Sequence, residues 1–426
     1  MRKTPFAALL LAVLIPLGCF ASETITTLTV GTHNSRDSLT VFGTIVFMEP
    51  DSSGQFTLLL NPNAEIQAMF FRTEDDSITA HFERTSGDTI VVAQPTTPAF
   101  ARPRVLSFEL AIPQRVDDSL IMLDRGNRWY PVLPQGLTTA IVNVVCNPDL
   151  EVFSIGDKST HGVSPLVMHE FMSKIPVYKI PLIVAKKHYY RSCSRAVAKH
   201  EITLNYFSIT DSAAQAILDE ATTAFEFYQD LLGEYHHKKL TILEVPSFEG
   251  TNIGTGILMI GSPTMNAIAA GQRESLTLTI ASQWFGAGVF CDFSGRGFWF
   301  MSLSFSHYLR LLYEGRFLDS AAFSAKINDN LAAYRKIAGN ELDTPIIDIV
   351  RPDSREKGII IYSKGPWLFH QFADCIGAVG MTAFARKLYS EFSGKVVSIE
   401  QLIEMMSVVD RNCAERLRTD LGGVGL

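Results

Sequence analysis

The residues of this chain that could do chemistry are scattered and do not form a complete catalytic motif. His169 and Glu170 begin like the zinc-binding pattern H-E-x-x-H, but Ser173 stands where the second histidine would be. Ser354 and Lys357 have the spacing of a serine–lysine pair, yet they are isolated in a charged stretch. No G-x-S-x-G elbow for a serine nucleophile occurs. These residues therefore indicate no hydrolytic centre of their own.

A glycine-rich segment, residues 250–256, could suggest a phosphate-binding loop. It lacks the Gly-Lys-Ser/Thr ending of a P-loop and does not read G-x-G-x-x-G. We interpret it as a turn that leads into a strand. His236 and His237 lie between a predicted helix and a predicted strand, and we interpret them as surface or packing residues.

Composition excludes some classes of protein. The chain has 426 residues, of which 47% are hydrophobic, so it can bury two or three cores. Its net charge of −7 argues against a nucleic-acid partner, which would need a basic face. The six cysteines form no C-x-x-C pair, which argues against a zinc knuckle. Five remain after Cys19, so at least one thiol is free, and we predict that these cysteines are buried apolar residues.

The N-terminus resembles an export signal. Arg2 and Lys3 precede an apolar run, residues 6–17, that is too short to span a membrane. A small-x-small site predicts a signal peptide of residues 1–21. Residues 17–19 also resemble a lipobox, in which Cys19 would be lipidated. We expect an exported protein that is periplasmic, secreted, or an outer-membrane lipoprotein tethered through Cys19.

The elements that must position any site change character near residue 207. From 23 to 207, short alternating apolar runs bounded by turn residues predict an antiparallel all-β domain. Helical periodicity begins at Asp211, which with Ser212 is a candidate helix cap. A second domain, 208–426, should combine strands with helices, so the fold class is α+β and multidomain. Its strands are predicted at 239–245 and 256–260, and its helices at about 267–286, 300–314, 365–376, 381–392 and 398–408.

Five short stretches, taken in order, resemble the aminopeptidase N family of zinc metallopeptidases. They are residues 128–131 (RWYP), 233–248, 283–286 (QWFG), 304–308 (SFSHY) and 362–365 (YSKG). Each match is weak alone, but their order, spacing and predicted elements agree over nearly the whole chain. The resemblance implies an N-terminal antiparallel β domain and a thermolysin-like domain, without the helical domain that usually closes the family's cavity.

The resemblance also implies a zinc site whose ligands this sequence lacks. The family places H-E-x-x-H directly before QWFG. Here Leu278 and Ser282 occupy the positions of its two histidines, and Thr279 occupies that of its glutamate. The third ligand, a glutamate, falls on Met301 by spacing or on Leu303 by alignment. None of these side chains can replace a ligand or the general base. Zinc is the cofactor of the resembled family, but we expect this protein to bind no metal and no other cofactor.

Three further positions follow from the resemblance. Ile253 takes the place of the family's glutamate that binds the free amine of a peptide, so that anchor is absent. Tyr362 matches the tyrosine that donates to the oxyanion in the family, although a structural aromatic near a helix start fits equally well. His307 lies four residues after Leu303, so the two share a helical face. Whether His307 lines the former zinc cavity stays open.

The leading hypothesis is an exported, metal-free pseudopeptidase that binds an extended peptide or a partner protein in the former groove. One alternative is an active metallopeptidase with atypical ligands. Another is a structural or assembly protein whose groove is filled by its own side chains. That last case predicts Leu278 and either Met301 or Leu303 almost fully buried, with Tyr362 at the rim. The edge strand of the groove is predicted at Gly256, Ile257, Leu258 and Met259.

Overall fold

The computed structural model describes the chain from residue 24 to residue 425, with gaps. Among the described residues, no helix is long and apolar enough to cross a membrane. The predicted signal peptide, with Cys19, lies outside them. The described stretches are 24–32, 38–47, 55–73, 76–93, 104–114, 120–124, 126–133, 136–246, 249–292 and 295–425.

The first domain is built of strands. They form one eight-stranded sheet and two three-stranded sheets around a core that includes the fully buried Trp129. The strands are β1 (Thr24–Gly31), β2 (Ser38–Phe47), β3 (Gln55–Leu59), β4 (Glu65–Arg72), β5 (Ser77–Thr79), β6 (Phe82–Ser86), β7 (Thr89–Ala93), β8 (Arg104–Pro113), β9 (Leu120–Leu123), β10 (Thr139–Cys146), β11 (Leu150–Phe153), β12 (Asp157–Val163), β13 (Leu166–Met172) and β14 (Leu182–Lys186).

The large sheet has the order β12-β13-β10-β1-β2-β8-β4-β5, and the small sheets are β11-β14-β9 and β3-β7-β6. The prediction of an antiparallel domain needs one correction, because β1 and β10 pair in parallel. β1 is antiparallel to β2, the next strand in the chain. A long connection separates β1 from β10, and such a connection permits parallel pairing.

The second domain surrounds a five-stranded sheet of order β15-β16-β17-β19-β18 with helices. Two π-helical turns interrupt its helical part. The elements are β15 (Arg191–Val197), β16 (His200–Tyr206), α1 (Asp211–Leu232), β17 (Lys239–Val245), β18 (Thr251–Gly254), β19 (Ile257–Gly261), α2 (Ser262–Ala269), α3 (Glu274–Ala281), β20 (Phe290–Cys291), the first π turn (Phe300–Ser304), α4 (Phe305–Gly315), α5 (Ser320–Arg335), a 3-10 turn (Ile346–Asp348), α6 (Arg355–Ile359), the second π turn (Ile360–Lys364), α7 (Gly365–Phe392), β21 (Val396–Val397), α8 (Ile399–Val409) and α9 (Arg411–Gly422).

The boundary between the two sheets lies earlier than predicted. β15 and β16 were expected in the first domain, but they pair with β17 in the second. The change of sheet therefore falls in residues 187–190, between β14 and β15. Strand periodicity identifies a strand but not the sheet that it joins, which explains the difference.

β17 and β19 connect the two hydrophobic cores. Leu258 and Ile260 of β19 pack in the core of the second domain, while Ile257 and Met259 pack in the core of the first. β17 alternates in the same way. Since successive side chains of a strand point to opposite faces, one sheet serves both domains.

α7 joins two helices that the sequence predicts separately. Gly377 breaks the helical geometry between them, with φ 76° and ψ 160°. Just before this kink, Cys375 forms a disulfide with Cys413 of α9, with their Cα atoms 6.2 Å apart. The prediction of buried apolar cysteines is therefore wrong for Cys375, which is exposed, whereas Cys413 is buried but is not a free thiol. The prediction fits Cys146 and Cys291, which are free and buried.

Candidate functional site

The run 278–282 forms the end of α3 and the residue that caps it. Thr279 is 1% exposed and Ser282 is 2% exposed, whereas Leu278 is only half-buried. The hydroxyl of Ser282 donates to the carbonyl of Leu278 at 3.0 Å, and that of Thr279 donates to the carbonyl of Ser275. Both hydroxyls are thus satisfied by the backbone one turn earlier, as is common for Ser and Thr in helices.

Thr279 also connects α3 to the edge of the sheet. Its Oγ1 lies 3.3 Å from Oγ1 of Thr251 on β18. Ile253, two residues along the same strand, shares the face of Thr251 and packs partly buried against the core of the second domain. The structure therefore places Ile253 and Thr251 of β18 beside Thr279 of α3. The hydroxyls of Thr251 and Thr279 form the contact between the strand and the helix.

The strand at the edge is not the one that was predicted. β19 lies between β17 and β18, and its residues, together with Gly256, are buried. The edge strand is β18, one strand earlier in the chain. β18 reads Thr-Asn-Ile-Gly and carries one large apolar residue, so no strand pattern marks it, and residues 250–256 were interpreted as a turn. The correction applies to Gly256, Ile257, Leu258 and Met259.

Gln283 holds this hairpin against the end of α3. Its side-chain carbonyl accepts from the backbone N–H of Gly256 at 3.0 Å and from the hydroxyl of Tyr235 at 2.9 Å. Its amide donates to the carbonyl of Gly254 at 3.0 Å. In the sequence this residue stands out only as part of QWFG, and its positioning role was not predicted. A glutamine within an apolar run is a signal of such a role, because a buried amide needs partners.

The two π turns carry the remaining predicted positions. Met301 is 5% exposed and Leu303 is half-buried in the first turn, while Tyr362 in the second is 40% exposed. Ser304 Oγ donates to the carbonyl of Ile361 at 2.7 Å and ties the turns together. Single π turns within helices often occur at functional sites.

His307 lies beside Tyr362, with the two rings edge-on and their centroids 5.6 Å apart. Its Nε2 accepts from the guanidinium of Arg310 at 2.8 Å, and Arg310, 6% exposed, also pairs with Glu314. Burial and the charge of Arg310 lower the pKa of His307 to about 3. The imidazole is therefore neutral near pH 7, with a cation as its hydrogen-bond donor.

These residues do not fit a zinc ion. The predicted ligand positions offer aliphatic and thioether groups and hydroxyls that donate to backbone carbonyls. The Nε2 of His307 already accepts from the cationic guanidinium of Arg310, whose charge would repel a zinc ion. Within the described chain, the one metal-like group of side chains is Cys375, Asp410 and Cys413. Its two cysteines are joined as a disulfide, so their sulfurs are not thiolate ligands.

The other motif-like residues have structural roles. His169 and Glu170 are neighbours on a strand, β13, so their side chains point to opposite faces and cannot share an ion. Ser354 caps α6 by accepting from the N–H of Lys357 at 3.2 Å. His237 is 1% exposed, in agreement with its interpretation as a packing residue.

Solved structures with this architecture are M1 zinc metallopeptidases. The M1 zinc metallopeptidase from Deinococcus radiodurans matches with a TM-score of 0.71 and 16% identity over 96% of this chain and 94% of that chain. A mutant of it bound to a Tyr-Ser-Ala substrate matches with a TM-score of 0.74 and 16% identity over 96% and 95%. A mutant two-domain M1 zinc metallopeptidase bound to L-arginine matches with a TM-score of 0.73 and 16% identity over 96% and 95%.

No protein-family model matches the sequence, and no curated protein matches it either. At 16% identity the structural likeness shows the fold alone. This protein thus has the multidomain α+β fold of the two-domain M1 peptidases, with a β-rich first domain and a second domain rich in helices.

Proposed function

We propose that this protein is a non-catalytic member of the M1 fold that binds an extended peptide segment along the edge of β18. The observation that carries the proposal is the state of Thr279. At the position of the family's general base stands a buried threonine whose hydroxyl donates to the backbone of its own helix. Such a group cannot deprotonate a water molecule near pH 7.

The edge of β18 supports peptide binding. Gly261 N–H donates to the carbonyl of Gly250, so the residue pair 250/261 is a hydrogen-bonded pair of the antiparallel ladder. Such pairs alternate, so the N–H and C=O groups of Thr251 and Ile253 point away from β19. No hydrogen bond to these groups occurs among the described residues. An added strand would pair with them through its backbone.

Partly exposed apolar side chains at the positions of the family's site support an apolar peptide as the ligand. Ile253, Leu278 and Leu303 are half-buried and Tyr362 is 40% exposed. Each can contribute further contact area when a ligand covers it. The Deinococcus radiodurans protein of the same fold binds a Tyr-Ser-Ala substrate. We propose a comparable mode of binding here without hydrolysis.

One observation favours the alternative of a filled groove, since Met301 is 5% exposed. Leu278 and Leu303, however, stay half-buried. We expected Leu278 to be almost fully buried in a filled groove, so this residue supports a partly open one.

The experiment is peptide-array binding with the purified chain, together with elemental analysis and a hydrolysis assay on aminoacyl p-nitroanilides. We expect substoichiometric zinc, no hydrolysis, and a set of bound apolar peptides. Ile253→Pro removes an outward N–H and leaves the β18–β19 ladder intact. This variant should reduce the affinity for those peptides by roughly three- to tenfold. The control Ile253→Val should leave the affinity unchanged.

Two results would contradict the proposal. One is about one zinc per chain with hydrolysis that a chelator abolishes. The other is peptide binding that Ile253→Pro leaves unchanged.

A further inference from the structure

A cavity of about 350 Å³ lies between α1, α4, α5 and α7. On α4, His307, Arg310 and Glu314 are spaced i, i+3 and i+7 and form the face toward Tyr362. Tyr308 and Leu312, which line the cavity, lie on the opposite face. The cavity is therefore separate from the proposed peptide groove, and its volume is within the range of small-molecule sites.

Aromatic rings form much of its wall. Phe227 of α1, Tyr308 of α4 and Phe323 of α5 line it together with the imidazole of His370. The His370 and Phe323 rings meet edge-on at 90°, with centroids 5.6 Å apart. Aromatic faces carry negative charge density and attract cations as well as apolar groups.

The charge in the cavity has one sign. Asp374 is the only acidic residue among the described lining residues, and no lysine or arginine lines the cavity with it. Its carboxylate is 60% exposed and lies 3.6 Å from Nε2 of His370. Burial, and after it the charge of Asp374, raises the pKa of Tyr308. Since Tyr308 lines the cavity, the negative charge of Asp374 is felt electrostatically inside the cavity.

The kink in α7 shapes this site. Asp374 precedes Gly377, and Ala378 and Met381 follow it, so the carboxylate and the apolar end of the cavity come from the two sides of the kink. The neighbouring disulfide of Cys375 attaches the first side to α9. The site is thus built on braced helices rather than on loops.

We propose that this cavity binds a small organic cation, a primary ammonium group carried on an aromatic or branched apolar body. The ammonium group pairs with Asp374 at the mouth, and the apolar body lies among Phe227, Tyr308 and Phe323. The site lies outside the groove of β18, so this proposal does not depend on the proposed peptide binding.

The test is calorimetric titration of the intact chain with three probes of one size, phenethylamine, 2-phenylethanol and phenylacetate. We expect the amine to bind about fivefold more tightly than the alcohol, the scale of a partly exposed charge contact. Phenylacetate should bind least tightly, because its charge repels that of Asp374. Asp374→Asn should reduce the affinity for the amine to that for the alcohol.

Two variants complete the test. Asp329→Asn removes the same charge from an exposed position of α5 and should leave all three affinities unchanged. Ala378→Trp fills the mouth from an exposed lining position and should abolish binding of the amine and the alcohol. Three results overturn the proposal: no binding of the amine at millimolar concentration, equal binding of amine and alcohol, or amine binding unaffected by Asp374→Asn.

Discussion

At the scale of single residues, the polar side chains at the positions of the family's zinc motif form hydrogen bonds with nearby backbone groups. Thr279 and Ser282 donate to carbonyls of their own helix. Gln283 bonds to two backbone groups of the adjacent hairpin and to the hydroxyl of Tyr235. The residue types at these positions were readable from the sequence. Their partners were not, because a hydroxyl or amide finds its partner only when the fold brings distant segments together.

Restoring two histidines should not restore a metal site. In the double variant Leu278→His with Ser282→His, the second imidazole enters a position that is now 2% exposed. Leaving buried polar groups without partners costs about 1–3 kcal/mol each. We expect a lower melting temperature and no hydrolysis, since a third ligand and a base are still missing.

The control for that variant is Leu278→Asn with Ser282→Asn, which adds polar groups that bind zinc poorly. Both variants should melt below the natural protein, with and without zinc. A zinc-dependent rise in melting temperature confined to the histidine variant would show that an open metal site persists.

His237 should make stability depend on pH. Burial lowers its pKa from 6.5 to about 4, while Asp157 acts in the opposite direction and His236 and Lys174 add to the lowering. The unfolded chain takes up this proton first as the pH falls. The stabilisation is therefore complete above about pH 6.5 and is lost as the pH falls toward about 4.

The measurement is urea unfolding across that pH range. His237→Phe keeps an aromatic ring and removes the titration, so its stability should fall less steeply on acidification than that of the natural chain. The exposed His188→Phe is the control and should keep the natural slope. Some slope should remain in His237→Phe, because burial also lowers the pKa of His169 and His307.

At the scale of elements, strongly periodic segments were predictable and weakly periodic ones were not. The capping box of Ser398 and Gln401 marked the start of α8 correctly. The predicted helix 267–286 is instead α2 and α3, separated at Gly271, whose φ of 105° is left-handed. α5 and α9 were missed. The apolar residues of α5 are mostly alanines that form no clear stripe, and α9 has only Leu417 and Leu421 as large aliphatic residues among many charged ones.

The contact between the two π turns requires a glycine at position 365. A Cβ atom there would lie 2.0 Å from Oγ and 2.4 Å from Cβ of Ser304. We expect Gly365→Ala to lower the free energy of unfolding by about 1–3 kcal/mol, the usual cost of overpacking. Urea denaturation measures this directly.

Gly358→Ala in α6 is the matched control for that substitution. Nothing lies within 4 Å of its added Cβ, and alanine favours a helix over glycine by up to about 1 kcal/mol. It should be neutral or stabilising. Equal stability of the two alanine variants would mean that the π turns can move apart without cost.

At the scale of the whole molecule, the sequence predicted two domains but not how they join. The resemblance and the order of elements gave the α+β class, and the structure confirms it. That β17 and β19 face both cores could not be read from the sequence, because a strand buried on both faces shows only a continuous apolar run.

The shared sheet predicts that the two domains unfold together. Met259 is fully buried in the core of the first domain although its strand belongs to the second. Met259→Ala should therefore destabilise the molecule as one unit by about 2–5 kcal/mol. Scanning calorimetry should give a single transition that shifts downward, and Val379→Ala, at an 86% exposed position, should shift it little. Two separate transitions, only one of them moved by Met259→Ala, would contradict this.

The same strand also sets a limit on how the protein can be divided. A protease cut or a truncation within residues 187–190 would separate the two sheets without breaking any strand pairing. The second fragment would then carry Leu243, Val245, Ile257 and Met259 as an uncovered hydrophobic surface. Such a surface promotes aggregation in water, so neither fragment is a sound starting point for expression on its own.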